Sequence, residues 1–291
     1  MKPRPAAGGG GRGPGSGREI PSVGAGLRRP RGGPRATERG PPRGTEAVWV
    51  GGRRTVAEAI RAGVAREILL LEPVRGGGPL AGIAELAART GVPTRPADHE
   101  RLDSLVSDHK GVAARVALPR ALAEPDLARI EVADTDIAVV LDGIMDPQNL
   151  GAAARAAEGA GATLLVTRER RSAPVTAAAV RASAGALLHL RHARVTNLTR
   201  TVELLKDRGF TVIGLDEGAD RTVYDEPCPE GPVALVLGSE GEGISRLVRE
   251  HCDLLVALPM RGRVESLNAS SALAAVLFAY VVPSRMPSAT I

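Results

Sequence analysis

From Thr135 onward the chain alternates short, continuously apolar runs with helical stretches. No other feature of its 291 residues restricts the fold so strongly. The apolar runs are Ile137–Leu141, Thr163–Val166, Leu187–Leu190, Thr211–Leu215, Val233–Leu237 and Asp253–Leu258. Helices are predicted at Leu150–Gly159, Val175–Ala184, Leu198–Arg208, Ile244–Glu250 and Ser270–Val282. Thr196 or Asn197 caps the third of these, and Gly209 ends it. A strand that is apolar on both faces must be covered on both, so the pattern predicts an α/β fold with a parallel, doubly covered sheet.

Upstream, Glu46 to about Leu118 reads as a smaller α/β unit. Helices are predicted at Thr55–Ala62, Leu80–Thr90 (closed by Gly91) and Arg101–Val106, and strands at Glu67–Leu71, Val92–Arg95 and Val112–Ala117. Pro119–Asp134 is a connector, partly helical around Asp126–Ile130. Residues 1–44 differ in kind. They carry ten basic side chains against Glu19 and Glu38, a net of +8, whereas the whole chain carries +5 and the remainder therefore −3. Rich in Gly, Pro and Arg, this stretch has too little apolar surface to offset its ordering entropy and is expected to be disordered. Its charge suits sequence-independent attraction to an RNA backbone, and an unselected low-complexity extension stands beside that reading. The expected organisation is thus a tail over 1–44, a small domain over 45–118, a linker over 119–134 and a larger domain over 135–291.

Several function classes are disfavoured by composition. Cys228 and Cys252, with His251 beside the second, lack metal-ligand spacing, so no metal site is expected and a reduced cytoplasmic compartment fits. The longest apolar helix, Ala272–Val282, is too short to span a bilayer, and no membrane association is expected. The lysines are Lys2, Lys110 and Lys206, none in a phosphate-binding loop, which argues against nucleoside triphosphate chemistry. Trp49, Phe210, Tyr224, Phe278 and Tyr280 are too few to form a stacking platform for single-stranded RNA.

Ligands of parallel sheets bind beyond the carboxyl ends of the strands, and three such ends here are unusually polar. The first is Asp142-Gly-Ile-Met-Asp-Pro-Gln-Asn-Leu-Gly-Ala-Ala-Ala-Arg155. Asp146 and Asn149 are candidate caps, Pro147 suits an early helical position, and Gly151 permits close backbone approach. Arg155 has Glu158 as an i,i+3 neighbour, and a surface ion pair between them is one reading of its role. The second is Leu237-Gly-Ser-Glu-Gly-Glu-Gly-Ile-Ser245, whose glycines around Glu240 do not follow the dinucleotide order Gly-x-Gly-x-x-Gly. The third runs from Leu258-Pro-Met-Arg-Gly-Arg to Ser266-Leu-Asn268, delivering two hydrogen-bonding side chains to the mouth of an apolar helix. Helix capping explains that turn, and so does a site for a polar or anionic ligand. Arg261 and Arg263 read as a solvated turn or as phosphate contacts, and His109 and Lys110 as a turn or an RNA contact. His189 and His192 read as structural.

Together the three stretches resemble the three motifs of the SpoU/TrmH family of RNA 2′-O-ribose methyltransferases. The first motif is matched by Asp146-Pro-Gln-Asn-Leu-Gly with Arg155, the second by Leu235-Val-Leu-Gly-Ser-Glu-Gly, and the third by Pro259-Met with Ser266-Leu-Asn268. The resemblance covers roughly 137–280. Glu67–Val116, including His109-Lys-Gly-Val, is similar to the L30e-like substrate-binding domain of the branch that modifies a guanosine in 23S rRNA. The resemblance implies a sheet knotted as a trefoil, a homodimer, S-adenosylmethionine as cofactor and RNA as partner. It implies cofactor contacts at the backbone of Gly238, Leu258 and Leu267, with Met260 nearby.

For catalysis it implies Arg155 at the target ribose, Asn149 and Glu240 positioning Arg155 and the nucleotide, and Ser266 and Asn268 binding phosphate and shaping the site. A guanidinium, with a pKa above about 12, is a poor base. Lowering the hydroxyl's pKa, or gripping the adjacent phosphate, is at least as suitable a task for it. Rival readings keep the chemistry on a tRNA or on another rRNA nucleotide, as in antibiotic-resistance methyltransferases. A rival from another class is a non-catalytic ribosome-assembly factor, against which Asn149, Arg155, Glu240, Ser266 and Asn268 all stand intact.

Overall fold

A computed structural model describes residues 47–72, 78–263 and 266–285. The tail predicted over 1–44 lies outside the described residues. The chain runs β1 (Ala47–Gly51), α1 (Arg53–Arg61), β2 (Ala65–Leu71), α2 (Pro79–Thr90), β3 (Thr94–Ala97), α3 (His99–Leu105) and β4 (Val112–Ala117). These strands form a mixed sheet in the order β1-β4-β2-β3, parallel between β2 and β3 and antiparallel elsewhere. Gly91 closes α2 with a left-handed φ of 72°, and the Asp98 carboxylate caps α3 by accepting from the Arg101 N–H at 2.8 Å. Strand β1 escapes the sequence pattern because Val48, Trp49 and Val50 are too short a run to separate from a loop.

The second sheet follows α4 (Glu124–Leu127). Its elements are β5 (Ile137–Asp142), α5 (Pro147–Gly159), β6 (Leu164–Arg168), α6 (Ala177–Ala182), β7 (Arg191–Val195), α7 (Leu198–Asp207), β8 (Thr211–Leu215), β9 (Val233–Gly238), α8 (Arg246–His251), β10 (Leu254–Val256) and α9 (Ala269–Val276). All six strands are parallel, in the order β10-β8-β9-β5-β6-β7. Alternate residues of each central strand serve opposite faces. Ile137, Val139 and Leu141 pack with Leu150, Ala153, Ala157, Leu273 and Val276, whereas Ala138 and Val140 pack with Leu127, Val202, Leu205 and Val248. The doubly covered parallel sheet is as the apolar runs predicted.

Two elements differ from the sequence expectation. Leu187–Leu190 is not a strand: Ala186–Leu188 forms a 3₁₀ turn, entered through Ala184 and Gly185 at φ 52° and 97°. Its leucines are buried against helices, and the strand comes afterwards as β7. There, exposed Arg191 and Arg194 alternate with buried neighbours and mask the apolar signature. The sixth run, predicted over Asp253–Leu258, keeps strand pairing only over Leu254–Val256, after which Ala257 bridges to Thr222. The last helix is α-helical to Val276 and continues as a π-helical turn over Leu277–Val281.

Close packing around small residues replaces bulk in the core. A Cβ on Gly151 would lie 2.5 Å from the Ala182 Cβ and 2.7 Å from the Ala179 carbonyl, so α5 touches α6 backbone to backbone. The two sheets belong to one compact unit, Pro42–Ile291. Glu58 on α1 meets the His189 ring at 3.0 Å, and Arg181 on α6 donates to the Ser107 carbonyl and hydroxyl, both at 2.9 Å.

Candidate active site

Strand order reverses between β5 and β9. From β5 the chain moves through β6 to β7 at one edge, then returns to build β8, β9 and β10 on the other side. The loops leaving β5 and β9 therefore lie at the switch point of the sheet, at the carboxyl end where ligands of such sheets bind. Pairing of Asp142 with Gly238 puts the two loop origins side by side.

The β5–α5 loop ends at Asp146, whose carboxylate accepts from the Gln148 and Asn149 N–H groups at 3.1 and 3.2 Å. That cap, with Pro147 at the first helical position, orients the first turn of α5 and with it Asn149. The β9 loop folds back on itself. Ser239 and Gly243 exchange backbone hydrogen bonds at 3.2 and 2.9 Å, while Gly241 and Gly243 take φ values of 83° and 65°. A Cβ on Gly238 would sit 1.9 Å from the Gly243 carbonyl carbon. The bareness of Gly238 thus serves the protein's own loop first.

At the tip of this loop Glu240 becomes a hub. One of its carboxylate oxygens accepts from the Asn268 Nδ2 at 2.6 Å, the Asn149 Nδ2 at 3.3 Å and the Ala269 N–H at 3.4 Å. The Asn268 Nδ2 also donates to the Asn149 Oδ1 at 3.0 Å. Asn268 caps α9 as well, its Oδ1 accepting from the Ser270 N–H and hydroxyl at 3.0 and 2.6 Å. Capping and site geometry, posed as alternatives by the sequence, are both present in this one side chain. Residues 91 and 119 positions from their partners meet here, with Glu240 and Asn268 exposed and Asn149 half-buried.

Other candidates stand off this cluster. Arg155 lies further along α5, exposed, and among the described residues it has neither a hydrogen bond nor an ion pair. The Glu158 pair that its spacing allowed does not form. Ser266, Leu267 and Met260 are exposed and Leu258 is half-buried, all on the segment joining β10 to α9. Arg261 and Arg263 project from the same segment into solvent. His109 is committed to structure: its Nδ1 accepts from the Gly111 N–H at 2.8 Å, and its Nε2 lies 3.2 Å from Asp103. His192 is buried on β7, its Nε2 2.8 Å from the Thr167 hydroxyl. Burial, and to a lesser degree the charge of Arg194, lowers its pKa to about 4. The Cys252 thiol is pushed up to about 12, chiefly by burial and then by Asp253, so it is an unreactive thiol.

Sequence reasoning missed a second, buried network directly beneath the rim. The Asp142 carboxylate pairs with the Arg168 Nη2 at 2.7 Å and accepts from the Ser245 N–H at 2.9 Å, while the same Nη2 donates to the Ser245 hydroxyl at 3.0 Å. Asp142 and Ser245 stood inside the polar stretches without a role, and Arg168 stood outside all three. The available signal was a charged residue ending each of two apolar strands.

An open parallel sheet with a polar cluster at its switch point defines a doubly wound α/β protein. Residues 136–278 match the model of the SpoU rRNA Methylase family. An "Uncharacterized tRNA/rRNA methyltransferase" of Mycobacterium ulcerans is 42% identical over 250 residues, 84% of this chain and 80% of that one. A "23S rRNA (guanosine-2′-O-)-methyltransferase RlmB" of Yersinia pestis is 43% identical over 202 residues, 68% of this chain and 81% of that one. The SpoU methyltransferase AviRb of Streptomyces viridochromogenes, solved also with AdoMet, superposes with a TM-score of 0.68 at 28% identity, over 82% of this chain and 90% of that one. The chain belongs to the SpoU family of RNA methyltransferases.

Proposed function

We propose that this protein transfers a methyl group from S-adenosylmethionine to a ribose 2′-hydroxyl of RNA, and that its target is a guanosine of 23S rRNA. The observation that carries the reading is the Asn149–Glu240–Asn268 cluster. Three residues from three separate sequence motifs join through hydrogen bonds at the sheet's switch point. The Yersinia relative supports the guanosine target, and the mixed sheet over 47–117, read as an L30e-like substrate-binding domain, supports rRNA over tRNA.

The residues present suit the cofactor. Met260 and Leu267, 38% and 40% exposed, offer aliphatic side chains on the segment after β10. Among the described residues, the backbone groups of Leu258, Met260 and Leu267 enter no loop or turn hydrogen bond. An apolar wall beside open amides and carbonyls is the chemistry an adenine ring needs. Backbone at Gly238, Leu258 and Leu267 would hold the group, with Met260 against it. When bound, S-adenosylmethionine supplies an electrophilic methyl group on a sulfonium.

The chain's own residues do the rest. Arg155, an exposed cation, lowers the pKa of the ribose hydroxyl and grips the neighbouring phosphate. Glu240 holds the Asn149 and Asn268 amides, and these in turn hold Arg155 and the nucleotide. Ser266 binds phosphate at the rim. Alignment of the two reactants accounts for on the order of 7–11 kcal/mol of barrier lowering in such reactions. The connection through Ala257 beside Thr222 suits a trefoil knot. The half-buried Ala152, Ala156 and Ala160, with exposed Phe278 near Gly159, suit a homodimer face. We assign a tail at 1–44, a linker at 119–134, domains at 45–118 and 135–291, and a cytoplasmic location.

The test is transfer of labelled methyl from S-adenosylmethionine to undermodified 23S rRNA and to bulk tRNA, with products mapped by resistance to alkaline cleavage. Label on a 23S guanosine ribose is the expected result. Label on tRNA alone overturns the target, and S-adenosylmethionine binding without transfer to any RNA overturns the activity.

A further inference from the structure

Glu240 rides on a loop that glycines make pliable, yet its carboxylate must meet two amides from other elements. Glycine at 241 and 243 leaves the unfolded loop many conformations, and the single Ser239–Gly243 bridge closes only its neck. What ties the loop to the sheet is the buried network below it. Asp142 has 5% of its side chain exposed, and both of its oxygens are used: one takes the Arg168 Nη2, the other the Ser245 N–H. Arg168, at the end of β6, also bonds the Ser245 hydroxyl. Asp142 opens the loop leading to Asn149, and Ser245 closes the loop carrying Glu240. One guanidinium therefore secures both halves of the Asn149–Glu240 contact from beneath.

We propose that Arg168 is a positioning residue for methyl transfer, acting through Asp142 and Ser245 to hold Glu240 in reach of Asn149 and Asn268. This rests on the methyltransferase reading above. Charge alone is insufficient for the task. A lysine at 168 keeps the positive charge, but its shorter stem does not carry an ammonium to the place of the Arg168 Nη2, the one nitrogen that meets both Asp142 and Ser245. Ser245→Ala removes only the hydroxyl and keeps the backbone bond to Asp142, so it is the gentler probe.

The experiment compares wild type, Arg168→Lys, Ser245→Ala, Glu240→Gln and the Arg168→Lys/Glu240→Gln double variant in the full chain. Single-turnover transfer to 23S rRNA and affinity for S-adenosylmethionine are measured, together with amide hydrogen exchange of residues 239–245 in the cofactor-free protein. Arg168→Lys is expected to slow the single-turnover rate on the order of 10–100-fold, the cost of a misplacement of about 1 Å, with cofactor affinity within about twofold. Exchange at 239–245 should quicken while the global unfolding midpoint holds. Ser245→Ala should slow transfer a few-fold, about a tenth of the Arg168→Lys effect. In the Glu240→Gln background, Arg168→Lys should add little, because the loss has already been taken. Full additivity in the double variant, unchanged exchange at 239–245, or a wild-type rate for Arg168→Lys would each overturn the proposal. An inactive wild type would instead overturn the reading on which it rests, while the exchange result would still report whether Arg168 holds the loop.

Discussion

Two polar clusters stand at the same end of the six-stranded sheet and are built in opposite ways. Asp142, Arg168 and Ser245 lie below the rim, with the carboxylate of the first almost entirely out of water. Glu240 and Asn268 lie exposed at the rim with half-buried Asn149 between them, their amides and carboxylate bonded to one another. Ions buried without water must be matched to partners and become costly to disturb. Neutral amides at the surface can exchange partners at little cost, as a site that admits and releases substrate requires. On the proposed function, the lower cluster serves stability and alignment, and the upper one chemistry.

The largest expected effect separates chemistry from stability outright. Arg155→Ala should reduce methyl transfer by on the order of 10²–10³-fold, the range for loss of one donor positioned against developing charge. Its unfolding free energy should move by less than about 0.5 kcal/mol, because the side chain is exposed and makes no ion pair among the described residues. Transfer assays and urea denaturation on the same preparation decide this, and equal losses in both would erase the contrast. Next comes the lower cluster. Asp142→Ala strands the Arg168 guanidinium and should cost about 3–5 kcal/mol of stability, whereas Glu240→Ala at the rim should cost under about 1 kcal/mol. Similar unfolding midpoints for these two variants would break the comparison.

A third test moves to β7. His192 is held neutral in the fold, with a pKa of about 4 against a usual 6.5, by burial and the nearby Arg194. Below pH 6.5 the unfolded chain takes up a proton that the folded one refuses, so stability should fall as pH drops from 6.5 towards 4. The expected loss is on the order of 3 kcal/mol. Chemical denaturation across that window should show a flatter profile for His192→Asn, and an unchanged slope would remove His192 from the account. The smallest effect links the two clusters through packing. Gly151→Ala, whose Cβ would meet Ala182 at 2.5 Å, should cost about 1–3 kcal/mol. Because α5 carries Asn149 and Arg155, transfer should fall with it, and a neutral result would show that α6 yields.

Much of this was legible in the chain. The apolar runs and their spacing mark the parallel sheet, since a strand covered on both faces has no polar alternation to lose. Asp146, Pro147 and Asn268 announce helix starts because capping is a local affair of three or four residues. Arg191-His-Ala-Arg-Val195 was misread in favour of the leucines before it, because an edge strand with two solvated arginines looks less apolar than a buried turn. Arg168 was passed over for a related reason: an arginine after an apolar strand has no local partner, and Asp142 and Ser245 are 26 and 77 positions away.

By itself the sequence determined the elements, the closeness of packing around alanine and glycine, and the three strand ends at which polar residues gather. These follow from short-range forces: hydrophobic periodicity, backbone conformational limits and end capping. Only the tertiary structure decided the strand order that sets β5 beside β9, and hence which of those ends meet. It alone placed Glu240 on Asn149 and Asn268, left Arg155 without a partner among the described residues, and tied both loops to Arg168. Such contacts join residues tens of positions to more than a hundred positions apart, and their geometry depends on the whole sheet closing first.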